Sequence, residues 1–538
     1  PQTNDCVVIG DIERTRLDNI KVMFFVGIND GNVPKKADSR SVLSESDREY
    51  LEDKGIVMSA SVREKAFTQR FYLYLIMTKS AEKLYMSYAV KNSEGAALMP
   101  SYIIRSMRKM FSHCLKLSYK DTAQQNSYVT IPQAANSFDN TEIAANVDED
   151  IIDSLTGGRL VGSVTSFENF AECPLRYYLR YGVDLKEREE FTFSPVNFGV
   201  VLHAVIREVC DEIKKNGESY YLISDEKRRE MVKRSVAAIT DIYQNSILKD
   251  SSRNSFMIKR MEDLADRTVW AMGEQLKCGD FVPFVFEHKF NMEVGDGDRK
   301  QLMSGTIDRV DICENGTDVY VRIIDYKTGK KDFNIVKTYY GIDIQLMVYM
   351  EAAMKLVAKM RPGKNVIPAG VFYYNISDPI VSATTESAEE IEDKIKGELR
   401  LKGMVNSDKD IAEKMDNTEG TSLNIPVSRK ADGGFDSRRS KVMNTEQFNM
   451  LGRFVDARTV DTADRIAGGD IRRSPYKDGQ FSSCDRCPYG AVCGFSVDLP
   501  GCNYRKLKKF DDEVLWNNIK EGVDENGKKM DTGAEERD

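Results

Sequence analysis

Gly305-Thr-Ile-Asp308-Arg-Val-Asp311, a turn at Asn315-Gly316, then Ile323-Ile-Asp325-Tyr-Lys327-Thr-Gly329 is the stretch on which the fold turns. Asn-Gly between two β-rich runs is a strong short-range hairpin signal. Residues 306–312 and 319–327 are therefore expected as paired antiparallel strands. Side chains two apart on a strand share a face, so Asp325 and Lys327 should project together with Tyr326 turned away. Asp308, on the neighbouring strand, can reach that same face. Two carboxylates and an ammonium are costly to bury without a partner. A divalent cation would neutralise the carboxylates, and the lysine could hold a water or a phosphate oxygen.

Downstream, residues 339–360 read as a helix on which Gln345 and Tyr349, four apart, share one face. Residues 281–294, which include Glu287, should form the first strand of the sheet, and 369–375 a fourth. Helical patterns run through 200–215, 225–248 and 256–276, with His203 early in the first. Residues 165–168 carry a capping-box pattern that should open a further helix. After it come Cys173, Arg176 and Arg180 among Phe170, Tyr177, Tyr178 and Tyr181. Aromatics interleaved with arginine suit stacking and phosphate contacts with single strands, and equally suit an amphipathic helix packed on the domain. Residues 382–440 are charged and Gly-rich. There a helix is expected at 388–403, then a flexible insertion ending in Arg438, Arg439 and Lys441, a candidate DNA-facing cluster or a solvated face. A last long helix should span 444–466, capped by Asn444 or Thr445. Cys484-Asp-Arg-Cys487 followed by Cys493 has metal-site rather than disulfide spacing. Three thiolates leave one ligand to find, and spacing does not separate zinc from an iron–sulfur cluster.

The ordered set resembles the nuclease domains of the RecB family within the PD-(D/E)xK superfamily. Those read Gly-x-Ile-Asp-Arg-Ile-Asp, Asp-Tyr-Lys-Thr-Gly and Gln-x-x-x-Tyr, behind a histidine on an upstream helix. The resemblance implies an α/β fold with a mixed central sheet flanked by helices. It also implies metal-dependent hydrolysis of DNA phosphodiester bonds. Asp308 and Asp325 would hold Mg²⁺ (or Mn²⁺), with His203 completing the site and the Tyr326 carbonyl adding a ligand. Lys327 would orient the attacking water, and Gln345 and Tyr349 would position the site or the strand. Certain RecB-type nucleases place one cysteine before this core and three after it, and hold a [4Fe–4S] cluster there. Cys173, in Glu172-Cys-Pro, matches the first ligand, with Cys484, Cys487 and Cys493 the others. Such a four-cysteine iron–sulfur cluster would staple the nuclease domain, residues 161–509.

The front of the chain, residues 1–117, has the order of an α/β unit: strand 22–26, a loop from Gly27 to Pro34, a charged segment opening a helix near residue 48, helix 65–77, strand 83–89. It resembles the last motifs of the superfamily 1 helicase core. Met77-Thr78-Lys79-Ser80 stands where that family has Leu-Thr-Arg-Ala. Lysine lacks the planar fork of the arginine, and no Gly-x-x-x-x-Gly-Lys-Ser/Thr loop occurs anywhere. An inactive ATPase remnant is therefore expected. With the nuclease and cysteine motifs behind it, the front part resembles the AddB-like subunits of bacterial helicase–nucleases. That implies a heterodimer with an AddA-like helicase–nuclease subunit, DNA as substrate, exonuclease action on double-strand breaks for recombinational repair, and a cytoplasmic setting. A non-catalytic DNA-binding scaffold subunit and a Cas4-like standalone nuclease are the alternatives.

Bulk properties agree. The 538 residues allow three or four domains, and no 18-residue apolar run exists. A net charge of −8 requires that any nucleic-acid contact use local basic patches. Ten scattered cysteines are no disulfide framework. Residues 118–160 read as a linker or loose crossing, and 510–538 as a polar tail, disordered from about residue 521. The start at Pro1, without Met or signal peptide, reads as the back part of a longer protein.

Overall fold

The computed structural model describes residues 7, 9–13, 20–35, 44–56, 60–91, 97–112, 146–148, 151–152, 161–186, 195–242, 252–294, 301–381, 386–497 and 502–524. They fall in two compact units, residues 1–133 and 134–538. Most of the expected linker, residues 243–248 and the tail beyond 524 lie outside the described residues. Among those described, no helix is long and apolar enough to cross a membrane.

In the first unit, β1 (Ile20–Phe25) and β2 (Ser80–Met86) pair in parallel. A parallel pair needs a crossover, supplied here by α1 (Glu45–Asp53) and α2 (Val62–Met77). Ser61 caps α2 in a reciprocal capping box with Glu64, and α3 (Tyr102–Met110) follows. The second strand ends earlier than its sequence predicts, and Asn29 is the reason. Its buried side chain donates to the Ala89 carbonyl (2.7 Å) and accepts from the Ala89 N–H (3.0 Å), so one amide stands in for a strand neighbour. Lys79 lies exposed at the α2–β2 junction.

The second unit is a seven-stranded mixed sheet between two helical layers. In chain order it contains β3 (Val161–Ser163), α4 (Val164–Glu172), α5 (Pro195–Lys215), α6 (Asp225–Ile242), α7 (Ser252–Lys277), β4 (Val282–Val294), β5 (Gln301–Asn315), β6 (Asp318–Lys327), α8 (Ile335–Tyr339), α9 (Gln345–Met360), β7 (Asn365–Asn375), α10 (Ala388–Glu398), β8 (Lys402–Asn406), α11 (Lys409–Met415), β9 (Val442–Met443) and α12 (Thr445–Ala467). Three short strands follow, β10 (Tyr476–Asp478), β11 (Phe481–Ser482) and β12 (Arg505–Lys506), in a separate small sheet, and α13 (Asp512–Asp524) closes the described chain. The long β5 carries β4 on one side. On the other it pairs with β3 at its start and with β6 from Arg309 onward.

The central strands are apolar throughout because both faces are covered. On β6, Tyr320, Ile324 and Tyr326 join the core shared with α5, α6 and α7, whereas Val319, Val321 and Ile323 join the core shared with α9, α12 and α13. This two-residue alternation turns Asp325 and Lys327 to the α9 side. The hairpin turn uses Gly316 and Thr317, since Asn315 pairs with Asp318.

Four expectations need correction. First, α4 begins at Val164 with Ser163 as its cap, its hydroxyl accepting from Ser166 N, which frees Glu168 for another task. Second, the 339–360 helix is two pieces. Gly341, at φ +77°, takes a left-handed conformation that breaks the run and lets the second helix start at Gln345. Third, much of the presumed insertion is ordered. Its helix stops at Glu398, β8 joins the sheet beside β7, and Ile425 and Val427 are buried. Behind them Asp416 accepts from Ser422 Oγ at 2.6 Å and from Asn424 Nδ2 at 3.2 Å. Few apolar residues sufficed because this polar network holds the loop shut. Fourth, α13 occupies part of the supposed tail, burying Leu515 and Ile519 against the α12 side.

Candidate active site

The site lies where β5 passes out of its ladder with β6. Asp308 is the residue just before the first paired position, Arg309. There its carboxylate replaces a main-chain acceptor, with Tyr326 N–H donating to Asp308 Oδ2 at 2.6 Å. The other oxygen, Oδ1, is 3.4 Å from His203 Nδ1, presented by α5. Glu287 Oε1, from β4, is 3.8 Å from the same nitrogen. Ligand atoms of His203, Glu287 and Asp308 all lie within 4.8 Å of one another. Burial alone would lower the His203 imidazole, but its bonds to Asp308 and Glu287 prevail and push it up to about 10. Asp325 is 3% exposed, and burial, followed by the Asp308 charge, pushes its carboxyl up to about 7. Lys327 Nζ is ion-paired with Asp325 Oδ2 at 2.5 Å. One imidazole and clustered carboxylates make a donor set that fits a hard divalent cation.

Glu287 has no role in the sequence reading, yet its backbone marks it. It sits mid-strand at φ +48°, a left-handed conformation that costs a non-glycine residue of order 1–3 kcal/mol. Such strain persists where the surroundings impose it, and here it aims the carboxylate at His203 and Asp308. Glu287→Gly should therefore separate scaffold from site. Relief of the strain should offset the extra unfolded-chain freedom of glycine, so stability should hold, while divalent-metal affinity falls at least about tenfold. Thermal melts with and without metal read both, and unchanged affinity would remove Glu287 from the site.

A second layer orients Lys327. Gln345 Oε1 accepts from Lys327 Nζ (2.9 Å), and Gln345 Nε2 donates to Tyr349 OH (2.9 Å), which fixes the amide orientation. Gly305 is required here because a Cβ would come within 2.6 Å of the Phe290 ring and 3.0 Å of Tyr349. Glu168 accepts the main-chain N–H groups of Ile344 and Gln345, and its burial pushes the carboxyl up to about 7. Lys331 Nζ pairs with Asp343 at 3.0 Å, and Asp343 also accepts from Tyr373 OH at 2.6 Å. Lys331, Asp343 and Tyr373 escaped the sequence reading, since none falls in a recognisable spacing, and Glu168 enters it only as the end of a capping box. The remaining charges of the opening motif stay out of the site: Arg309 and Arg322 both bond Asp311 in a buried triad.

Of the arginines expected at DNA, Arg176 is committed to an ion pair with Glu172, and Arg180 lies 5.4 Å over the Tyr181 ring. Arg438 and Arg439 are exposed. Phe167 and Phe170 belong to the interior, so the packing reading holds for them.

The four cysteines come together. Cys173 ends α4 in an extended conformation before Pro174, and its thiol is buried. Burial raises the thiols of Cys173 and Cys493, and pushes that of Cys484 up to about 11. Cys487 lies close enough to raise all three further. Neighbouring thiols of this kind suit thiolates neutralised by bound metal. Leu175 N–H donates to the Arg472 carbonyl (3.3 Å) and Tyr489 OH to that of Leu185 (2.9 Å), tying the two chain segments. Cys502 is buried elsewhere in this region.

Residues 162–494 match the family model described as the PD-(D/E)XK nuclease superfamily. Three similar proteins each carry a name that makes them one subunit of an ATP-dependent helicase/deoxyribonuclease. The one from Lachnoclostridium phytofermentans is 32% identical over 100% of this chain and 50% of its own length. That from Clostridium acetobutylicum is 31% identical over 98% and 50%. That from Caldanaerobacter subterraneus subsp. tengcongensis is 30% identical over 100% and 51%. The chain thus spans about half the length of these relatives.

Proposed function

The chain belongs to the PD-(D/E)XK nuclease superfamily, and from that premise we propose that its second unit is a metal-dependent DNA nuclease of exonuclease type. The observation that carries the reading is the cluster of His203, Glu287 and Asp308, with Asp325 near enough for the Asp308 charge to raise its carboxyl and Lys327 paired to Asp325. Members of this superfamily work with a divalent metal, here Mg²⁺ or Mn²⁺. His203, Glu287, Asp308 and Asp325 would hold it, with the Tyr326 main chain alongside. The bound cation supplies positive charge to the phosphoryl oxygens. Lys327, its ammonium steered by Gln345, orients the attacking water and stabilises charge developing on phosphorus-bound oxygen. Tyr349 fixes the Gln345 amide and so acts one step further out.

The relatives' name makes them one subunit of a helicase/deoxyribonuclease; the resemblance to AddB-like subunits extends the proposal to a cytoplasmic heterodimer with an AddA-like helicase–nuclease subunit acting at double-strand breaks, where this chain would cut the 5′-ended strand. The first unit would be a helicase-like scaffold without ATPase activity. Cys173, Cys484, Cys487 and Cys493 would bind a [4Fe–4S] cluster that staples the nuclease. Arg438 and Arg439 would meet DNA from the loop beside β9. The test is digestion of DNA labelled at either end, with Mg²⁺ and with EDTA. Metal-dependent release of end-label supports the reading. DNA binding without cutting would make the chain a scaffold.

A further inference from the structure

From the way α9 begins, we infer that Glu168 is a positioning residue for the proposed cleavage: from another helix it fixes the N-terminus of α9, and through Gln345 it fixes Lys327. The inference rests on the nuclease reading and deepens it.

A helix leaves its first N–H groups without partners, and a side chain at the N-cap normally satisfies some of them. The N-cap of α9 is Ile344, which has no such side chain and makes no capping bond. Glu168 of α4 does the work from 176 residues away, its Oε1 accepting from Ile344 N at 3.0 Å and from Gln345 N at 3.1 Å. The second of these residues carries the amide that holds Lys327 Nζ at 2.9 Å. From Glu168 to the catalytic ammonium there are thus two hydrogen bonds and one side chain. A shift of α9 along its axis would reach Lys327 undiminished, because Tyr349 on the next turn prevents Gln345 from swinging to compensate.

The placement of Glu168 is costly, which argues that it is used. The carboxylate is half-buried, and its charged neighbours are Lys331, Lys327 and the like-charged Asp343. Phe167 on one side and Phe170 on the other are core residues, 2% and 1% exposed. α4 ends at Cys173, so the helix that seats the first proposed cluster ligand also seats α9.

Both N–H groups go to a single oxygen, and this makes a sharp test. An amide oxygen can accept the same pair, so Glu168→Gln should keep the cleavage rate within about threefold. Glu168→Asp keeps the charge but withdraws the oxygen by one methylene. Misplacement on the scale of 1 Å costs up to about 100-fold, so kcat should fall ten- to a hundredfold with KM for DNA and Mn²⁺ affinity unchanged. The full chain is used, with circular dichroism melts confirming folding. Asp equal to or better than Gln would mean that charge, not reach, matters, and would overturn the inference. Should the Asp variant fail to fold, the Gln variant decides alone: a retained rate supports the inference and a tenfold loss overturns it. A parent chain that cuts nothing with metal present would sink the nuclease reading instead.

Discussion

Asp308→Ala is expected to abolish metal-dependent cleavage, a fall of at least about 10³-fold in kcat, while the protein stays folded. Asp308 does two jobs with two oxygens. Oδ1 faces His203 and Glu287, and Oδ2 holds the Tyr326 N–H at the end of the β5–β6 ladder. Alanine removes a ligand and frees the backbone next to Asp325 as well. Metal affinity should fall by about 100-fold or more. Stability should change little, because the substitution also relieves a buried like-charge contact with Asp325. Lys327→Ala should separate the two roles. Cutting should drop by about 10²–10³-fold, as for loss of one charge-stabilising group, with metal binding kept or improved once the competing ammonium leaves Asp325. Isothermal titration with Mn²⁺ beside cleavage assays checks both variants, and brisk cleavage by either would refute the assignment.

The same geometry gives a pH dependence. Without a cation, a proton does the neutralising: the His203 imidazole titrates at about 10 and Asp325 at about 7. Metal must displace those protons, so apparent affinity should rise with pH through neutrality and fall steeply below it. In the Asp308→Ala variant His203 loses its nearest carboxylate, and the alkaline part of this dependence should shrink.

The site was legible in the sequence to the extent that it is local. A two-residue period put Asp325 and Lys327 on one face, and a four-residue period did the same for Gln345 and Tyr349. The structure keeps both arrangements. The contributions that were missed come from far away or from backbone conformation. Glu287 reaches the metal group through a left-handed residue inside a strand, which no alternation of side chains signals. Glu168 caps a helix 176 positions downstream, a relation that exists only once α4 and α9 pack. Segment 382–440 was misjudged for a related reason. Its order comes from hydrogen bonds to the buried Asp416 and from the β7–β8 ladder rather than from an apolar pattern. Periodicity reports what one element buries, and is silent about polar groups that close a loop.

Cys173→Ala should cost more than an ordinary thiol deletion, and should do so from outside the metal site. Of the four gathered cysteines, Cys173 stands 311 positions before Cys484 (484 − 173), and the whole nuclease core lies between them. A bound cluster closes that loop. By the chain-entropy relation for cross-links, closing so long a loop removes up to roughly 5–6 kcal/mol of unfolded-state freedom, an upper bound because unfolded chains keep some structure. That rivals the stability of a typical domain. Protein-side hydrogen bonds across the junction include, among the described residues, those of Leu175 and Tyr489 to the opposite segment and the Arg505 side chain on the Ala171 carbonyl. Without metal, the thiols of Cys173, Cys484 and Cys493, raised by burial, stay protonated and hold nothing together. Loss of Cys173, Cys484, Cys487 or Cys493 should therefore loosen α4, and with it Glu168 and the start of α9. Cleavage and proteolytic resistance should fall together, whereas Cys502→Ala should leave both unchanged. Protein purified without oxygen should be brown and carry about four irons per chain, and each ligand variant should be pale. A colourless zinc protein with full activity would refute the cluster. A Cys173→Ala chain that melts and cuts like the parent would refute the staple, because the entropy argument leaves no route by which so long a loop could be opened without cost.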